Sequence, residues 1–398
     1  MISEKMKPLV ENNSAIRAMF EEGKRLAGIY GEEHVYDFSL GNPNVPAPEA
    51  VKQAIFDILN QEESTFVHGY MSNAGFEDVR EAIAASLNRR FDTSFHLNNI
   101  LMTVGAASGL NVILKTILNP GEQVVVFAPY FVEYGAYVRN YDGELVVVPP
   151  DTETFQPNLE AFASMIGEKT RAVIINTPNN PTGVIYSEET LRRIADILYA
   201  KEEEYHTQIV LISDEPYREL AYDGAVVPYV TKYYRDTAVC YSYSKSLSLP
   251  GERIGYLVIP DEMQESEELF SAACIANRVL GCVNAPSLMQ RVILRCVDEK
   301  TDVDAYDRNR NLLYSSLTDY GFTCIKPEGA FYLFVKAPGD EAGFCETCKK
   351  HHVLVVPGSS FACPGYVRIA YCVSYQQIER SLPAFQAIAK ECGLSGGC

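Results

Sequence analysis

A lysine and an arginine stand eight residues apart in a small, hydroxyl-rich segment of this 398-residue chain. Lys245 is flanked by Ser244 and Ser246, and Arg253 follows the Pro-Gly pair at 250–251. A lysine amine can form an imine with a carbonyl group, and a guanidinium binds phosphate with a planar fork of donors. A cofactor that carries an aldehyde and a phosphate needs both groups. Taken alone, the segment also fits a solvated lysine and an ion-paired arginine, so other segments must support the first interpretation.

Two polar side chains follow predicted strands. The apolar run at residues 209–213 ends at Asp214, where a carboxylate can pair with a protonated ring nitrogen. Pyridoxal phosphate has this requirement, because its protonated pyridine absorbs the carbanion formed when a substrate loses its α-proton. Residues 171–176 lead into a Pro- and Gly-containing loop whose Asn180 amide can hydrogen-bond a phenolic oxygen. The alternatives are a helix N-cap for Asp214 and an ordinary turn residue for Asn180.

Small and aromatic residues follow two further predicted strands. Residues 103–109 join a strand to a helix start, where free backbone N–H groups and the positive helix end can bind phosphate. Glycine in this segment can also serve only tight packing of the strand against the helix. Tyr130 and Phe131 close the next strand, and either ring can lie flat on a pyridine or belong to the hydrophobic core.

Strand and helix patterns alternate from about residue 48 to about residue 283, and this alternation must position the polar loops. Short, β-branched runs predict strands at residues 100–104, 123–127, 171–176, 208–213, 237–241 and 254–259. The pattern predicts an α/β fold with a mainly parallel sheet covered on both faces by helices, and ligands beyond the carboxyl ends of its strands. Longer helices with strands at 331–335, 353–356 and 366–370 predict a second, smaller α+β domain after about residue 283.

The composition limits the class of protein. Lysine and arginine total 34 against 52 aspartates and glutamates, and the formal net charge of -18 argues against nucleic acid as a partner. The 11 cysteines are odd in number and all lie at or beyond Cys240, which favours reduced thiols over a disulfide framework. Residues 1–22 lack the apolar core of a signal peptide, and no 18 apolar residues run together. We therefore expect a cytoplasmic protein without a membrane partner.

Several motifs, taken in order, resemble a known family. They are the Asn-Pro-Thr-Gly loop at 180–183, Asp-Glu-Pro-Tyr at 214–217, Ser-x-Ser-Lys ending at Lys245, and Arg253. Together they resemble the class I/II aminotransferases, the aspartate aminotransferase-like group of fold-type I pyridoxal phosphate enzymes, from Tyr36 to Ala370. The resemblance implies a large domain at residues 48–283 with a seven-stranded, mainly parallel sheet between helices. It also implies a smaller α+β domain built from residues 1–47 and 284–398.

The resemblance assigns contacts to the ring of pyridoxal 5'-phosphate. Lys245 matches the lysine that holds the cofactor as a Schiff base and moves the substrate α-proton. Asp214 matches the partner of the pyridine nitrogen, and Tyr217 and Asn180 match the donors to the 3-oxygen. Phe131 falls where the family places its ring-stacking aromatic residue.

The resemblance also assigns the phosphate contacts. Ser242, Arg253 and the backbone amides near Ala106 and Ala107 match the residues that surround the phosphate in the family. Tyr70 resembles the tyrosine that reaches the phosphate of the neighbouring subunit's cofactor. A homodimer with active sites at the subunit interface is therefore implied.

Two arginines are candidates for binding the carboxylates of the substrate. Arg368 matches the arginine that grips the substrate α-carboxylate, aided by Gly41 and Asn180, and a charge-balancing arginine in a late strand is the alternative. Relatives that bind acidic side chains carry a lysine at the position of Ala107, and alanine cannot take that role. Arg278 lies within one residue of the place where other subgroups have a partner-subunit arginine for the distal carboxylate. It is a candidate replacement, or else a surface charge on a helix.

The implied activity is transfer of an amino group from an L-amino acid to a 2-oxo acid, with aspartate and 2-oxoglutarate as one candidate pair. A carbon-sulfur lyase or related eliminating enzyme is the alternative, since it uses the same machinery. A non-enzymatic alternative is an amino-acid-sensing module of the kind attached to helix-turn-helix regulators, but no DNA-binding segment is recognised here.

A cysteine and histidine cluster raises the question of a metal. Cys345, Cys348, His351 and His352 have ligand-like spacing, but the second Cys-x-x-Cys pair of a zinc site is missing. The segment also fits one helix that leads into a strand. We expect no metal.

Overall fold

The structure is a computed structural model that describes residues 1–11 and 15–394. Its strands are β1 Tyr36–Asp37, β2 Ile100–Thr103, β3 Gln123–Phe127, β4 Glu144–Val148, β5 Thr170–Asn176, β6 Val210–Asp214, β7 Thr237–Ser242, β8 Gly255–Val258, β9 Tyr332–Lys336, β10 Val353–Leu354, β11 Val356–Pro357 and β12 Tyr366–Ala370. Its helices are α1 Lys7–Glu11, α2 Ala15–Tyr30, α3 Glu49–Gln61, α4 Ser64–Val67, α5 Glu77–Phe91, α6 Ala106–Ile117, α7 Glu133–Asn140, α8 Leu159–Met165, α9 Glu188–Tyr205, α10 Tyr243–Ser246, α11 Ser266–Val279, α12 Ser287–Cys296, α13 Val303–Asp319, α14 Glu341–Lys350 and α15 Tyr375–Glu391. Within these residues, none of the helices is both long and apolar enough to cross a bilayer.

Seven strands form the central sheet, in the order β2-β8-β7-β6-β5-β3-β4. β8 runs antiparallel to both of its neighbours, whereas the pairs from β7 through to β4 are parallel. Valine, isoleucine and leucine are the commonest buried residues of β3, β5 and β6, because helices cover the sheet on both faces. The predicted mainly parallel α/β sheet is confirmed. The edge strand β4 is not among the strands that the sequence pattern predicts.

Alternate residues of one strand pack against helices on opposite faces of the sheet. Val124 and Val126 of β3 share a hydrophobic cluster with Leu110 of α6. Val125 belongs to a different cluster, together with Leu191 of α9. Because successive side chains of a strand point to opposite faces, α6 and α9 lie on the two sides of the sheet.

A second, smaller unit combines segments from both ends of the chain. β9, β11 and β12 form an antiparallel sheet, and β1 pairs in parallel with β10. The predicted strand at residues 353–356 is therefore divided, because its first half joins β1 and its second half joins β12. The domain boundary near residue 283 stays a prediction. Val292 of α12 shares a hydrophobic cluster with Ile58 of α3, and this packing favours a boundary after α12.

The carboxyl ends of the parallel strands gather the predicted site residues at one edge of the sheet. The register pairs Asn176 of β5 with Asp214 of β6, and Asp214 with Cys240 of β7. Ser242 ends β7, and α10 with Lys245 begins at the next residue. The fold thus places the loops that the sequence singles out beside one another.

Candidate active site

A cavity of about 320 Å³ lies at this edge of the sheet. Eleven residues that the sequence analysis names line it: Gly41, Ala106, Ala107, Phe131, Asn180, Asp214, Tyr217, Ser242, Lys245, Arg253 and Arg368. The remaining lining residues are Leu40, Leu110, Asn176, Pro216, Ser244, Pro250 and Tyr332. Segments from about residue 40 to residue 368 therefore meet around a single space.

Asp214 presents one unsatisfied carboxylate oxygen to the protein interior. Its Oδ2 accepts a hydrogen bond of 2.5 Å from the Tyr134 hydroxyl, and its Oδ1 has no hydrogen-bond partner among the described residues. Burial raises the pKa of Asp214 to about 7, against the lowering effect of the Tyr134 hydrogen bond. No helix begins after Asp214, so the helix-cap interpretation does not apply. The free oxygen suits a cationic N–H donor, such as a protonated ring nitrogen.

Lys245 projects from α10 into the cavity, and its Nζ donates a hydrogen bond of 2.7 Å to the carbonyl oxygen of Gly41. The start of α10 is capped by Ser242, whose side chain accepts from the Ser244 amide. Burial, together with the positive charges of Arg368 and Arg253, lowers the pKa of Lys245 to about 8. A larger share of neutral amine near pH 7 makes this lysine a better nucleophile and base than a solvated one.

Asn180 is held by two side chains rather than by turn geometry alone. Its backbone N–H donates to the side-chain oxygen of Asn176 over 2.7 Å, and its own Oδ1 accepts from Arg368 over 3.0 Å. Asn176 in turn donates to the backbone oxygen of Asp214. One hydrogen-bonded chain therefore links Arg368, through both asparagines, to Asp214.

Arg368 is a buried cation without a carboxylate partner. Its side chain lies between the rings of Tyr332 and Phe361, at 4.6 and 5.0 Å from the ring centroids, and donates to the Ser39 carbonyl over 2.5 Å. Its Nε has no hydrogen-bond partner among the described residues, and the oxygens to which the guanidinium donates, those of the Asn180 amide and the Ser39 carbonyl, are uncharged. A buried guanidinium with a free donor is costly unless an anion binds it, which favours a substrate carboxylate over charge balancing.

The start of α6 can hold a phosphate. Gly105 precedes the helix with φ 80°, and no side chain caps the first turn at Ala106 and Ala107. The Arg253 guanidinium donates to the carbonyl oxygen of Val104 over 3.2 Å, and a Cβ at Gly105 would lie 3.0 Å from its Nη2. Glycine at 105 thus serves both the left-handed backbone and the close approach of the arginine. Uncapped N–H groups beside a guanidinium suit a phosphate dianion.

Two predicted site residues lie outside this cavity. Tyr70 is 92% exposed, and Arg278 is exposed in the last turn of α11. Both were assigned to the neighbouring subunit, so a single chain leaves their roles untested. Phe131 lines the cavity whereas Tyr130 does not, which favours Phe131 as the residue that stacks on the cofactor ring.

Two tyrosines of the site are missing from the residues predicted from the sequence: Tyr332, which lines the cavity, and Tyr134, which donates to Asp214. Tyr134 lies in the first turn of α7, three residues after Phe131, and its position after a strand end is a signal that could have found it. Tyr332 begins β9 in the smaller unit, far from the alternating pattern. No sequence signal connects it to Tyr217, whose hydroxyl lies 2.8 Å from its own.

The comparisons with known proteins decide the family. The family profile described as "Aminotransferase class I and II" matches residues 33–385. The chain belongs to the class I and II aminotransferases. It is 31% identical to an aspartate aminotransferase of Thermotoga maritima, over 92% of this chain and 94% of the relative, and 30% identical to an aromatic-amino-acid aminotransferase of Thermococcus litoralis, over 96% of each.

Solved structures agree with this assignment to the aminotransferases. An aminotransferase from Eubacterium rectale has 48% identity and a TM-score of 0.96, covering 98% of this chain and 99% of that one. The aspartate aminotransferase of Thermus thermophilus with maleate has 28% identity and a TM-score of 0.86, with the same coverage. Aminotransferases of this family depend on pyridoxal 5'-phosphate, and this enzyme does too. The free oxygen of Asp214, the amine of Lys245 and the uncapped start of α6 beside Arg253 fit the ring nitrogen, aldehyde and phosphate of that cofactor.

The cysteine and histidine cluster has other partners in the aminotransferase. Cys345 and Cys348 lie on α14, and Cys348 is fully buried. His351 pairs with Glu391, and the ring of His352 stacks on Tyr30 at 4.3 Å between centroids. No group of three or more metal-ligating side chains occurs within residues 1–11 and 15–394.

Proposed function

We propose that the cavity residues divide the work of amino-group transfer between an L-amino acid and a 2-oxo acid. Bound pyridoxal phosphate supplies a protonated ring that accepts the electron pair left when the substrate loses its α-proton. The observation that carries the proposal is the shared cavity, which is lined by Lys245, by Asp214 with its unpaired carboxylate oxygen, and by Arg368 with its unpaired Nε.

Each residue has a proposed role in this division of work. The Asp214 carboxylate keeps the proton on the ring nitrogen, because a buried anion favours the charged form of its partner. Lys245 Nζ removes the α-proton of the substrate, which a neutral amine with a lowered pKa can accept. Tyr217 and Asn180 donate to the phenolic oxygen of the cofactor. Phe131 lies against the ring.

Arg368 is proposed to fix the substrate by its α-carboxylate. A guanidinium binds a carboxylate with two parallel hydrogen bonds, so it sets both position and orientation. Asn180 and the Ser39 carbonyl accept hydrogen bonds from Arg368 and so hold the guanidinium in place. Gly41 accepts from Lys245, which brings the amine to the same side of the cavity. The α-proton then faces the lysine.

We propose a homodimer that completes the site, on the basis of the resemblance at Tyr70 and of exposed apolar residues in two neighbouring segments. Tyr70, Val279 and Val283 are exposed. The two segments that carry them are linked by a hydrogen bond from the side chain of Asn284 to the backbone oxygen of Ser72. Sedimentation is expected to give a particle of twice the mass of one chain. Tyr70→Ala is expected to weaken cofactor binding about tenfold, as loss of one charge-assisted hydrogen bond would. A monomer that retains full cofactor affinity would contradict the proposal.

We also propose a reducing compartment, such as the cytoplasm, for this enzyme. Support comes from the ten cysteines within the described residues, which are all free, while Cys398 lies outside them. Cell fractionation that finds the enzyme outside the cytoplasm would contradict this proposal.

Aspartate and 2-oxoglutarate are the substrates that we propose first. The Thermotoga maritima relative is named an aspartate aminotransferase, and the Thermus thermophilus structure contains maleate, a dicarboxylate. The cations that line the cavity in this chain are Lys245, Arg253 and Arg368, and each has another proposed role. A distal carboxylate therefore needs a cation from a second chain, and Arg278 of the partner subunit is our candidate.

A donor panel tests both the activity and the substrate. Aspartate is expected to bleach the visible absorption of the bound cofactor, and 2-oxoglutarate is expected to restore it. Arg278→Gln is expected to raise the KM for aspartate on the order of 100-fold and to leave aromatic and aliphatic donors unchanged, because only the dicarboxylate loses an ion pair. Arg193→Gln, an exposed helix arginine, is the matched control and is expected to change neither.

Three other results of the donor panel would contradict the proposal or favour another function. Equal effects of Arg278→Gln on all donors would remove its role with the distal carboxylate. Release of pyruvate and ammonia from cysteine would favour a carbon-sulfur lyase. A cofactor spectrum that no amino acid alters would favour a sensing module.

A further inference from the structure

The hydroxyl of Tyr332 lies where the proposed catalytic groups meet. Tyr332 is the first residue of β9, is buried, and lines the cavity. Its hydroxyl oxygen lies 2.8 Å from that of Tyr217, and the two rings are nearly perpendicular at 5.7 Å between centroids. Its ring face also contacts Arg368. One side chain therefore touches both the proposed donor to the cofactor and the proposed clamp of the substrate.

The backbone around the cavity is arranged to admit this hydroxyl. A Cβ on Gly41 would overlap the Tyr332 hydroxyl, so residue 41 has to be a glycine while the tyrosine is present. The same Gly41 accepts from Lys245 through its carbonyl oxygen. The absence of a side chain at 41 is thus explained by the hydroxyl of Tyr332, since the φ of Gly41 does not lie in the left-handed region.

The role proposed for Tyr217 fixes the direction of the hydrogen bond between the two tyrosines, because either hydroxyl can donate at their distance of 2.8 Å. Burial raises the pKa of Tyr332 to about 12, while the nearby Arg368 and the bond with Tyr217 act in the lowering direction. Burial and Tyr332 together raise the pKa of Tyr217 well above its ordinary value. A tyrosine hydroxyl carries one proton, so a Tyr217 that donates this proton to the phenolic oxygen of the cofactor can only accept from Tyr332. Tyr217 then has its own proton free to point into the cavity.

We infer that Tyr332 is a positioning residue that directs the Tyr217 proton toward the phenolic oxygen of the bound cofactor. The inference rests on the role proposed above for Tyr217. Without the Tyr332 hydroxyl, the Tyr217 proton no longer has a fixed direction and donates less to that oxygen. The oxygen then carries more negative charge and holds a proton more firmly on the neighbouring Lys245 nitrogen. Tyr332 therefore lowers the pKa of that nitrogen in the resting enzyme.

Tyr332→Phe tests the inference without any substrate. Titration of the visible absorption of the cofactor-loaded enzyme is expected to give a midpoint that is higher by roughly half to one pH unit, the size of one hydrogen bond. Tyr217→Phe is expected to raise the midpoint at least as much. The double variant is expected to match Tyr217→Phe, because the two hydroxyls act as one unit.

Kinetics separate the hydroxyl of Tyr332 from its ring. Tyr332→Phe keeps the ring against Arg368, so it is expected to lower kcat with less than about a threefold change in KM. Tyr332→Leu removes the ring and is expected to raise KM as well, since the cation loses its aromatic partner. Tyr371→Phe is the matched control, because that buried hydroxyl donates to the Ala330 carbonyl and Tyr371 does not line the cavity. It is expected to leave the midpoint unchanged.

The possible failures are distinguishable. If Tyr217→Phe leaves the midpoint unmoved, the proposed role of Tyr217 is wrong. If Tyr217→Phe moves the midpoint and Tyr332→Phe does not, the role of Tyr217 stands and the inference about Tyr332 is overturned. Additive shifts in the double variant would also overturn it, since Tyr332 would then act by another route.

Discussion

Lys245→Ala is expected to lower the rate of amino-group transfer by about 10⁴-fold or more, because it removes both the amine that binds the cofactor and the base that moves the α-proton. Lys245→Arg is expected to be equally inactive. Arginine keeps the positive charge but cannot be deprotonated, so it cannot act as the base. The measurement is single-turnover conversion of an amino acid on the cofactor-loaded variant. Turnover near that of the unaltered enzyme in either variant would remove Lys245 from the mechanism.

The fold is expected to survive the loss of Lys245. Folding lowers the pKa of Lys245 from 10.5 to about 8 in the apoprotein. The folded state is therefore destabilised wherever the amine is protonated. At pH 7 this cost is on the order of 3 kcal/mol, and it fades as the pH rises through 8 toward 10.5. Lys245→Ala apoprotein should therefore unfold at a temperature no lower than the unaltered apoprotein at pH 7. A large loss of thermal stability would show that inactivity reflects misfolding.

Most of the site could be predicted because its residues follow parallel strands. Phe131, Asn180, Asp214 and Lys245 all come within a few residues of a strand end, and the carboxyl ends of parallel strands necessarily meet at one edge. Periodicity and β-branched composition locate such strands without knowledge of the tertiary structure. The chemistry of each loop then follows from residue type. The order of motifs along the chain identifies the family, which the comparisons confirm.

The residues that could not be predicted reach the cavity by long-range packing. Tyr332 comes from β9 of the smaller unit, and its contact with Tyr217 depends on how that unit packs against the central sheet. No local pattern encodes that distance. The exact start of α6 is a further example: the sequence places a helix start within residues 103–109, and the positive φ of Gly105 sets it at Ala106. The roles proposed for Tyr70 and Arg278 require a second chain, and no local pattern of one sequence gives its position.

Asp214→Asn is expected to lower kcat/KM by roughly 10²- to 10⁴-fold, the cost of breaking a buried charge pair. Asparagine keeps the shape of the side chain and can still accept from Tyr134, but it carries no negative charge. Its amide N–H would face the ring nitrogen as a donor and so favour the unprotonated nitrogen. The ring would then be a weaker acceptor of the electron pair from the substrate. Stopped-flow measurement of the first half-reaction checks the effect, and a loss of less than tenfold would contradict it.

The Asp214→Asn apoprotein is expected to be no less stable than the unaltered apoprotein, although its activity falls. The pKa of Asp214 is about 7 in the folded chain against 3.8 ordinarily, so stability is highest when the carboxyl is protonated and falls as pH rises from about 4 through 7. Above pH 7 the cost of the buried anion is at most about 4 kcal/mol. Asp214→Asn removes that cost, and the apoprotein should be at least as stable as the unaltered one at pH 8.

Asp236 provides the matched control for this argument. It is a buried aspartate whose oxygens are both satisfied, by the Gln264 amide and by Arg235, and it does not line the cavity. Asp236→Asn is expected to lower stability, because it breaks a satisfied ion pair, and to leave kcat/KM unchanged. Asp214 and Asp236 should therefore show opposite patterns. If Asp214→Asn instead lost stability together with activity, its carboxylate would serve the fold, and the pairing with the ring nitrogen would have to be abandoned.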